Sequence, residues 1–379
     1  MNQLRNGDGN GIVGRAASLK AITKKLIDGC IVKADRGVNM YTPDGMGNYA
    51  ALWTRDFAYM VEHAGDLMEE ADVQRAIEYL MSGADTNGWI PDRVERDGTP
   101  RYTAGGADFP ALPNLDNGCF LVMAADAFLD TLPAERAVAL FSAWHEVLVR
   151  GIACLPKVDK GMICNESTPL HSPYGFTDTV AKGGTLCFET LLLWKAEKVL
   201  VKWLEKTGVA AEEHKHNIVR IEKYFTAVFM DESGMLLAAT EQCRQIDVWA
   251  SCFAVSVDFP LTATEKDNIS TWLIKHYDSI VEAGQIRHLP RGEYWEKLFV
   301  PVDGGTYQNG AFWATPTGWF VDAIIEKDNA LAMKTLTDVL TDFEDNGVFE
   351  CINGDYRKLD TYVASATNVY GACKKYGFV

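Results

Sequence analysis

Residues 182–228 read KGGTLCFETLLLWKAEKVLVKWLEKTGVAAEEHKHNIVRIEKYFTAV. Leu186, Leu193, Trp194, Leu200, Val201 and Leu204 recur at helical spacing, which predicts a helix over 182–206. The short polar turn Lys206-Thr207-Gly208 follows, then a second, more charged helix over 211–228. A turn that short makes the two helices antiparallel neighbours. The same unit recurs along the chain. Further helices are predicted near 15–31, 53–69, 72–84, 116–131, 134–152, 245–257, 264–280, 310–326, 329–343 and 361–376, and Glu70-Ala71-Asp72 and Lys327-Asp328-Asn329 are again short polar turns. The connections between pairs are of the opposite kind. Segments 85–115, 157–181, 229–244, 281–309 and 344–360 are long and rich in Gly, Pro, Asp, Trp and Tyr, and such loops tend to carry function. Alternating short and long connections over six helical pairs predict an all-α fold. It is an (α/α)6 barrel, residues 1–379 as a single domain, with the long loops gathered at one end.

A chain of 379 residues that is 47% hydrophobic can bury a sizeable core. Its net charge of -16 repels nucleic acid and anionic membranes, which leaves a small neutral ligand as the expected partner. Nine cysteines form an odd set without a C-x-x-C pair, as expected of reduced thiols in a cytoplasmic protein. Residues Met1 to Gly11 lack the apolar core of a signal peptide, and no run of eighteen apolar residues suggests a membrane span. The seven histidines show no H-E-x-x-H, and Tyr102 to Gly106 lacks phosphate-loop spacing, so neither a metal nor another cofactor is expected. His214 and His216, two apart on a charged helix, read as solvated surface.

The long loops hold the candidate chemistry. In Tyr49 to Met60, Trp53 offers a flat face for a sugar ring, while Arg55 and Asp56 offer a donor fork and an acceptor pair for its hydroxyls. Asp56 could equally cap the helix that starts there. Gly88-Trp89-Ile90-Pro91-Asp92 opens the next loop with a second tryptophan. Asp178 stands among aromatics, surroundings that raise a carboxyl pKa and suit a proton donor, with Glu166 as its local competitor. The segment from Arg287 through Glu293, Tyr294 and Trp295 to Tyr307, Asn309 and Trp313 combines cations, aromatics and amides, as orienting a polyhydroxylated ligand requires. Glu350 sits between apolar residues in a loop, where burial would demand a function or a partner such as Arg287.

In this order the stretches resemble the glucoamylase family of inverting glycosidases, within the six-hairpin glycosidases. Trp53-Thr54-Arg55-Asp56 looks like the family's Trp-Thr-Arg-Asp. Tyr174 to Gly184 is similar to the segment that carries its general acid. Arg287 to Glu293 with Tyr307 to Gly310 resembles two of its sugar-binding loops, and Phe349-Glu350 resembles the segment that carries its general base. The resemblance implies an exo-acting, inverting hydrolase with Asp178 as acid and Glu350 as base. Arg55, Asp56 and Arg287 would then orient the terminal sugar, and Trp53, Trp89, Tyr294, Trp295, Tyr307 and Trp313 would wall it. The acid position departs from the family in being Asp rather than Glu, and the chain is short for the family with no starch-binding module, so the expected substrate is a small oligosaccharide or glycoside. Two alternatives stand beside it. One is a sugar epimerase or isomerase on the same barrel, using His171 and His288; the other is a catalytically silent carbohydrate-binding protein.

Overall fold

A computed structural model describes residues 9–106 and 108–379. The reading of the first eleven residues thus falls mostly outside the described part. Thirteen helices run along it: α1 (Gly9–Gly29), α2 (Thr54–Ala64), α3 (Glu70–Ser82), α4 (Asn117–Leu129), α5 (Ala134–Ala153), α6 (Cys187–Thr207), α7 (Glu212–Phe229), α8 (Val248–Ser256), α9 (Ala263–Lys275), the single turn α10 (Tyr277–Ile280), α11 (Thr317–Ile324), α12 (Asn329–Asn346) and α13 (Val363–Lys375). Burial separates two classes. Helix α6 buries fourteen of its 21 residues on all sides, and α4 eleven of 13, as helices walled in by neighbours must. In α7 only Asn217, Ile221, Phe225 and Phe229 are buried, a single stripe at four-residue spacing.

The first class forms a ring. α2 packs on α4, α4 on α6, α6 on α8, α8 on α11, α11 on α13, and α13 closes back on α2. The second class lies outside, with α5 and α7 against α6, α12 against α11, and α1 against α12 and α13. This is an (α/α)6 barrel. Each short turn leads from the C-terminus of an inner helix to an outer one, and each long connection leads from an outer helix to the N-terminus of the next inner one. The long loops therefore share one end of the ring, where six helix N-termini present their positive dipole ends.

Two predicted helices start well after the point their pattern suggests. Helix 182–206 begins at Cys187, because Gly184 adopts φ 81° and pairs with Asn165 in a small ladder. Helix 310–326 begins at Thr317. Pro316 disfavours helical conformation in Thr315 before it, and Phe312 and Trp313 bridge instead to Ile352 and Ile286. The loops also contain more strand than the sequence suggests. The longest hairpin pairs Phe349–Asn353 with Tyr356–Asp360, so Glu350 lies on a strand rather than in an open loop. All nine cysteines are unpaired, and no described helix is long and apolar enough to cross a membrane. His214 is not wholly solvated: half-buried, it contacts Glu197, while His216 is exposed.

Candidate active site

At the long-loop end, a cavity of about 260 Å³ is lined by residues from five of the six long connections and the helix starts they feed. Three carboxyl groups reach it: Asp56, Asp178 and Glu350. Trp53, Tyr307, Trp313 and Phe176 supply apolar faces, and Tyr49, Tyr362 and Lys358 supply polar ones. Such a mixture of flat apolar walls and few convergent polar groups suits a small polyhydroxylated ligand.

Asp178 ends a turn of 3-10 helix, Gly175–Thr177, in the connection leading to α6. Gln308 straps this turn. Its Nε2 donates to Gly175 O (2.9 Å) and to Asp178 Oδ1 (2.8 Å), while its Oε1 accepts from Thr179 N and Oγ1. Gly175 N donates to Asp116 Oδ2 at 2.9 Å. A side chain at Gly175 would displace the buried Arg55 guanidinium, since a Cβ there would lie 1.5 Å from Arg55 Nε. Burial pushes the Asp178 carboxyl up to about 7, against the lowering pull of Arg55 and the Gln308 hydrogen bond. A carboxyl so placed keeps its proton near neutrality.

Glu350 is 2% exposed, and its partners differ in kind. Lys358 Nζ donates to Oε2 at 2.7 Å and Tyr49 OH to Oε1 at 2.9 Å. Lys358 belongs to the return strand of the same hairpin, and the left-handed φ of 55° at Leu359 interrupts the ladder beside it. The lysine also lies 3.7 Å from the centre of the Tyr307 ring. Burial raises the Glu350 pKa while Lys358 and Tyr49 oppose the rise.

Arg55 and Asp56 divide the clamp expected of them. The Arg55 guanidinium borders the cavity but its hydrogen bonds run beneath it, to Asp92 Oδ1 (2.7 Å), Asn117 Oδ1 (3.1 Å) and Asp116 Oδ1 (3.4 Å). Burial disfavours its charge, yet Asp116 and Asp92 outweigh that and hold the pKa well above the ordinary value. Asp56 faces the cavity and accepts from Tyr362 OH at 2.6 Å, with burial lifting its pKa to about 6. It makes no capping hydrogen bond at the start of α2.

Of the other sequence candidates, Trp53, Tyr307 and Trp313 border the cavity and seven do not. Trp89 stacks on His171 with ring centres 5.4 Å apart. Arg287 donates to Glu293 O and packs by Phe312, so it neither partners Glu350 nor reaches the cavity. Glu293 is exposed to solvent. Trp295 is buried in a satellite cluster with Val180, Leu289 and Cys243, and Asn309 holds Trp295 N and Val302 O. Tyr294, also named as a wall, is exposed, as is Glu166. Tyr49, Lys358, Tyr362 and Gln308 were not singled out. A local hint was the two-residue turn signal Gly354-Asp355 after Phe349 to Asn353, which could have marked a hairpin returning past Glu350. Among the described residues no group of His, Cys, Asp and Glu is arranged to hold a metal ion.

A second, larger cavity of about 560 Å³ opens at the opposite end of the ring. Aromatic side chains fill the axis between the two. Phe176 borders the first cavity, Tyr59 the second, and their rings are 5.9 Å apart. The carboxyl trio belongs to the smaller cavity, which makes that one the candidate active site.

With this geometry in view, the comparisons with solved structures are informative. The GH63 mannosylglycerate hydrolase from Thermus thermophilus, in complex with glucose, superposes with a TM-score of 0.69 at 13% identity, over 93% of this chain and 99% of that one. The chain has the fold of the six-hairpin glycosidases. A glycosidase variant in complex with glucose gives a TM-score of 0.68 at 12% identity over 97% and 98% of the two chains. The rhamnosidase from Klebsiella oxytoca with rhamnose bound gives 0.67 at 13% over 96% of this chain and 64% of its own. No family model matches the sequence, and neither does any curated protein.

Proposed function

We propose that the chain is an inverting glycoside hydrolase that removes the terminal sugar of a small oligosaccharide or glycoside. Asp178 donates its proton to the glycosidic oxygen as the bond to the anomeric carbon breaks. Glu350 takes a proton from a water that attacks that carbon from the opposite face. Asp56 and Tyr362 receive sugar hydroxyls, and Trp53, Tyr307 and Trp313 cover the C–H faces of the ring. Arg55 acts from below, as the cation that anchors the acid-bearing turn.

The observation that carries this reading is the contrast between two buried carboxyls on one cavity. Asp178 is raised to about 7 and has an amide as its hydrogen-bond donor, whereas Glu350 is held by a lysine cation. Burial raises both pKa values; the neutral donor on Asp178 and the cationic donor on Glu350 support the acid role for the first and the base role for the second. The epimerase alternative loses support, because His171 and His288 both lie outside the cavity lining. His171 bonds to Pro113 O and His288 stacks on Trp249. One barrel domain serves this activity, with small carbohydrates as partners, and the unpaired cysteines favour a reducing cytoplasm.

The test is the stereochemistry of the first product. A panel of aryl glycosides followed by proton NMR before mutarotation should show release of a sugar with the anomeric configuration opposite to the substrate's. Retention would reject single displacement and reassign Glu350, and binding without turnover would support the silent carbohydrate-binding alternative.

A further inference from the structure

The larger cavity lies where the six inner helices end. It is lined by the aromatic and apolar side chains Tyr59, Met123, Trp194, Phe253, Trp319 and Ala372. It opens to solvent at its mouth, and about 560 Å³ is within the size range of ligand pockets. Its floor is polar and unsatisfied. Thr315 is 1% and Asn368 3% exposed; both line the cavity, and Thr315 Oγ1 and Asn368 Oδ1 have no hydrogen-bond partner. Asn368 uses its amide nitrogen on Thr315 O, which leaves an acceptor oxygen in need of a donor.

The mouth carries lysines, as suits a face built from the negative ends of helix dipoles. Lys195 pairs with Glu62, Lys202 with Asp126 and Asp130, and Lys375 with Asp322. Lys198 is the exception. It is exposed, lies 4.3 Å from the centre of the Trp194 ring, and has no carboxylate partner among the described residues.

We infer that this cavity is a second ligand site, separate from the carboxyl-bearing one, for a small hydroxyaryl carboxylate. The flat apolar ring fits between the aromatic walls. Its hydroxyl donates to Asn368 Oδ1 at the floor, and its carboxylate meets Lys198 at the mouth. The site does not depend on the proposed hydrolysis.

The experiment is a titration by tryptophan fluorescence and calorimetry with three probes: 4-hydroxyphenylacetate, phenylacetate, which lacks the donor, and tyrosol, which lacks the charge. The first should bind one per chain. Phenylacetate should bind about tenfold more weakly for want of one buried hydrogen bond, and tyrosol about two- to fivefold more weakly, as an exposed charge contributes little. Asn368→Ala should erase the difference between 4-hydroxyphenylacetate and phenylacetate. Lys198→Ala, an exposed change that leaves folding alone, should erase the difference between 4-hydroxyphenylacetate and tyrosol. No saturable binding at millimolar probe, equal binding of all three, or affinities that neither variant alters would overturn the proposal; the last result would assign the binding to the other cavity.

Discussion

Asp178 and Glu350 border one cavity, yet the chain supports them by opposite means. The Asp178 turn is fastened by Gln308, 130 residues away in sequence, and by Asp116, and its one side-chain donor is a neutral amide. Glu350 finds its cation eight residues along its own hairpin, with the Tyr49 hydroxyl as the one distant contribution. The acid's protonation is thus a property of the assembled barrel, since burial dominates it. Glu350, whose pKa burial also raises, meets the cation that opposes the rise within its own hairpin. The lesson is that two carboxyls whose pKa burial raises can be opposed from far along the chain in one case and from within a single hairpin in the other.

The largest expected effect tests whether the two carboxyls differ in role. Asp178→Asn and Glu350→Gln should each lower turnover by roughly 10²-fold or more. Their dependence on the leaving group should part company. With an aryl glycoside whose phenol needs no proton, Asp178→Asn should recover most of its loss, whereas Glu350→Gln should not. Steady-state rates on activated and unactivated substrates give the answer, and equal recovery by both would erase the distinction.

Next comes the cation beneath the acid. Arg55→Met leaves Asp92 and Asp116 buried without their shared partner, a change of the kind that costs about 3–5 kcal/mol. Denaturant melts should show a stability loss of that order. A variant that melts like the parent but binds sugar poorly would restore Arg55 to a direct clamp.

A smaller effect concerns pH. Under the proposed mechanism activity needs Asp178 protonated, so the rate should fall as pH rises through about 7. Because Lys358 lowers the Glu350 pKa, Lys358→Met should move the acidic limb of the profile to higher pH and leave the alkaline limb in place. Movement of the alkaline limb instead would exchange the two roles.

The last effect is on stability. In the folded chain Asp178 holds its proton from its ordinary 3.8 up to about 7, whereas the unfolded chain has lost it, so stability declines with rising pH across that window. The Asn side chain avoids that decline and can still accept from Gln308. The Tm of Asp178→Asn relative to the parent should therefore rise between pH 4 and pH 8, and a constant difference would place the Asp178 pKa in the ordinary range.

Much of the barrel was legible because its determinants are local. An all-round apolar run such as Cys187 to Leu204 and a single stripe such as Asn217 to Phe229 announce an inner and an outer helix without knowledge of their neighbours. Connection lengths then place the long loops together. Asp56, Asp178 and Glu350 were legible for a related reason, each being a carboxyl among apolar or aromatic residues. The rest depends on partners far along the chain. Whether the Arg55 guanidinium turns up into the cavity or down beneath it is decided by Asp92 and Asp116, 37 and 61 residues away. Arg287, Glu293, Trp295 and Asn309 have a composition that suits a sugar site, but their loop uses them to fasten itself. Lys358 escaped notice because a lysine in a polar hairpin looks like any solvated charge until the strand pairing aims it at Glu350.

The aromatic septum of Phe176 and Tyr59 bears on traffic as well as on architecture. It closes the candidate active-site cavity toward the other end of the ring. Under the proposed reaction, the sugar sits against the septum and the rest of the substrate fills the doorway. Departure is then ordered: the aglycone must leave first, and the freed sugar can follow only into the space it vacates. Such a queue makes the monosaccharide the last product out, and so the one that competes with fresh substrate for the empty enzyme.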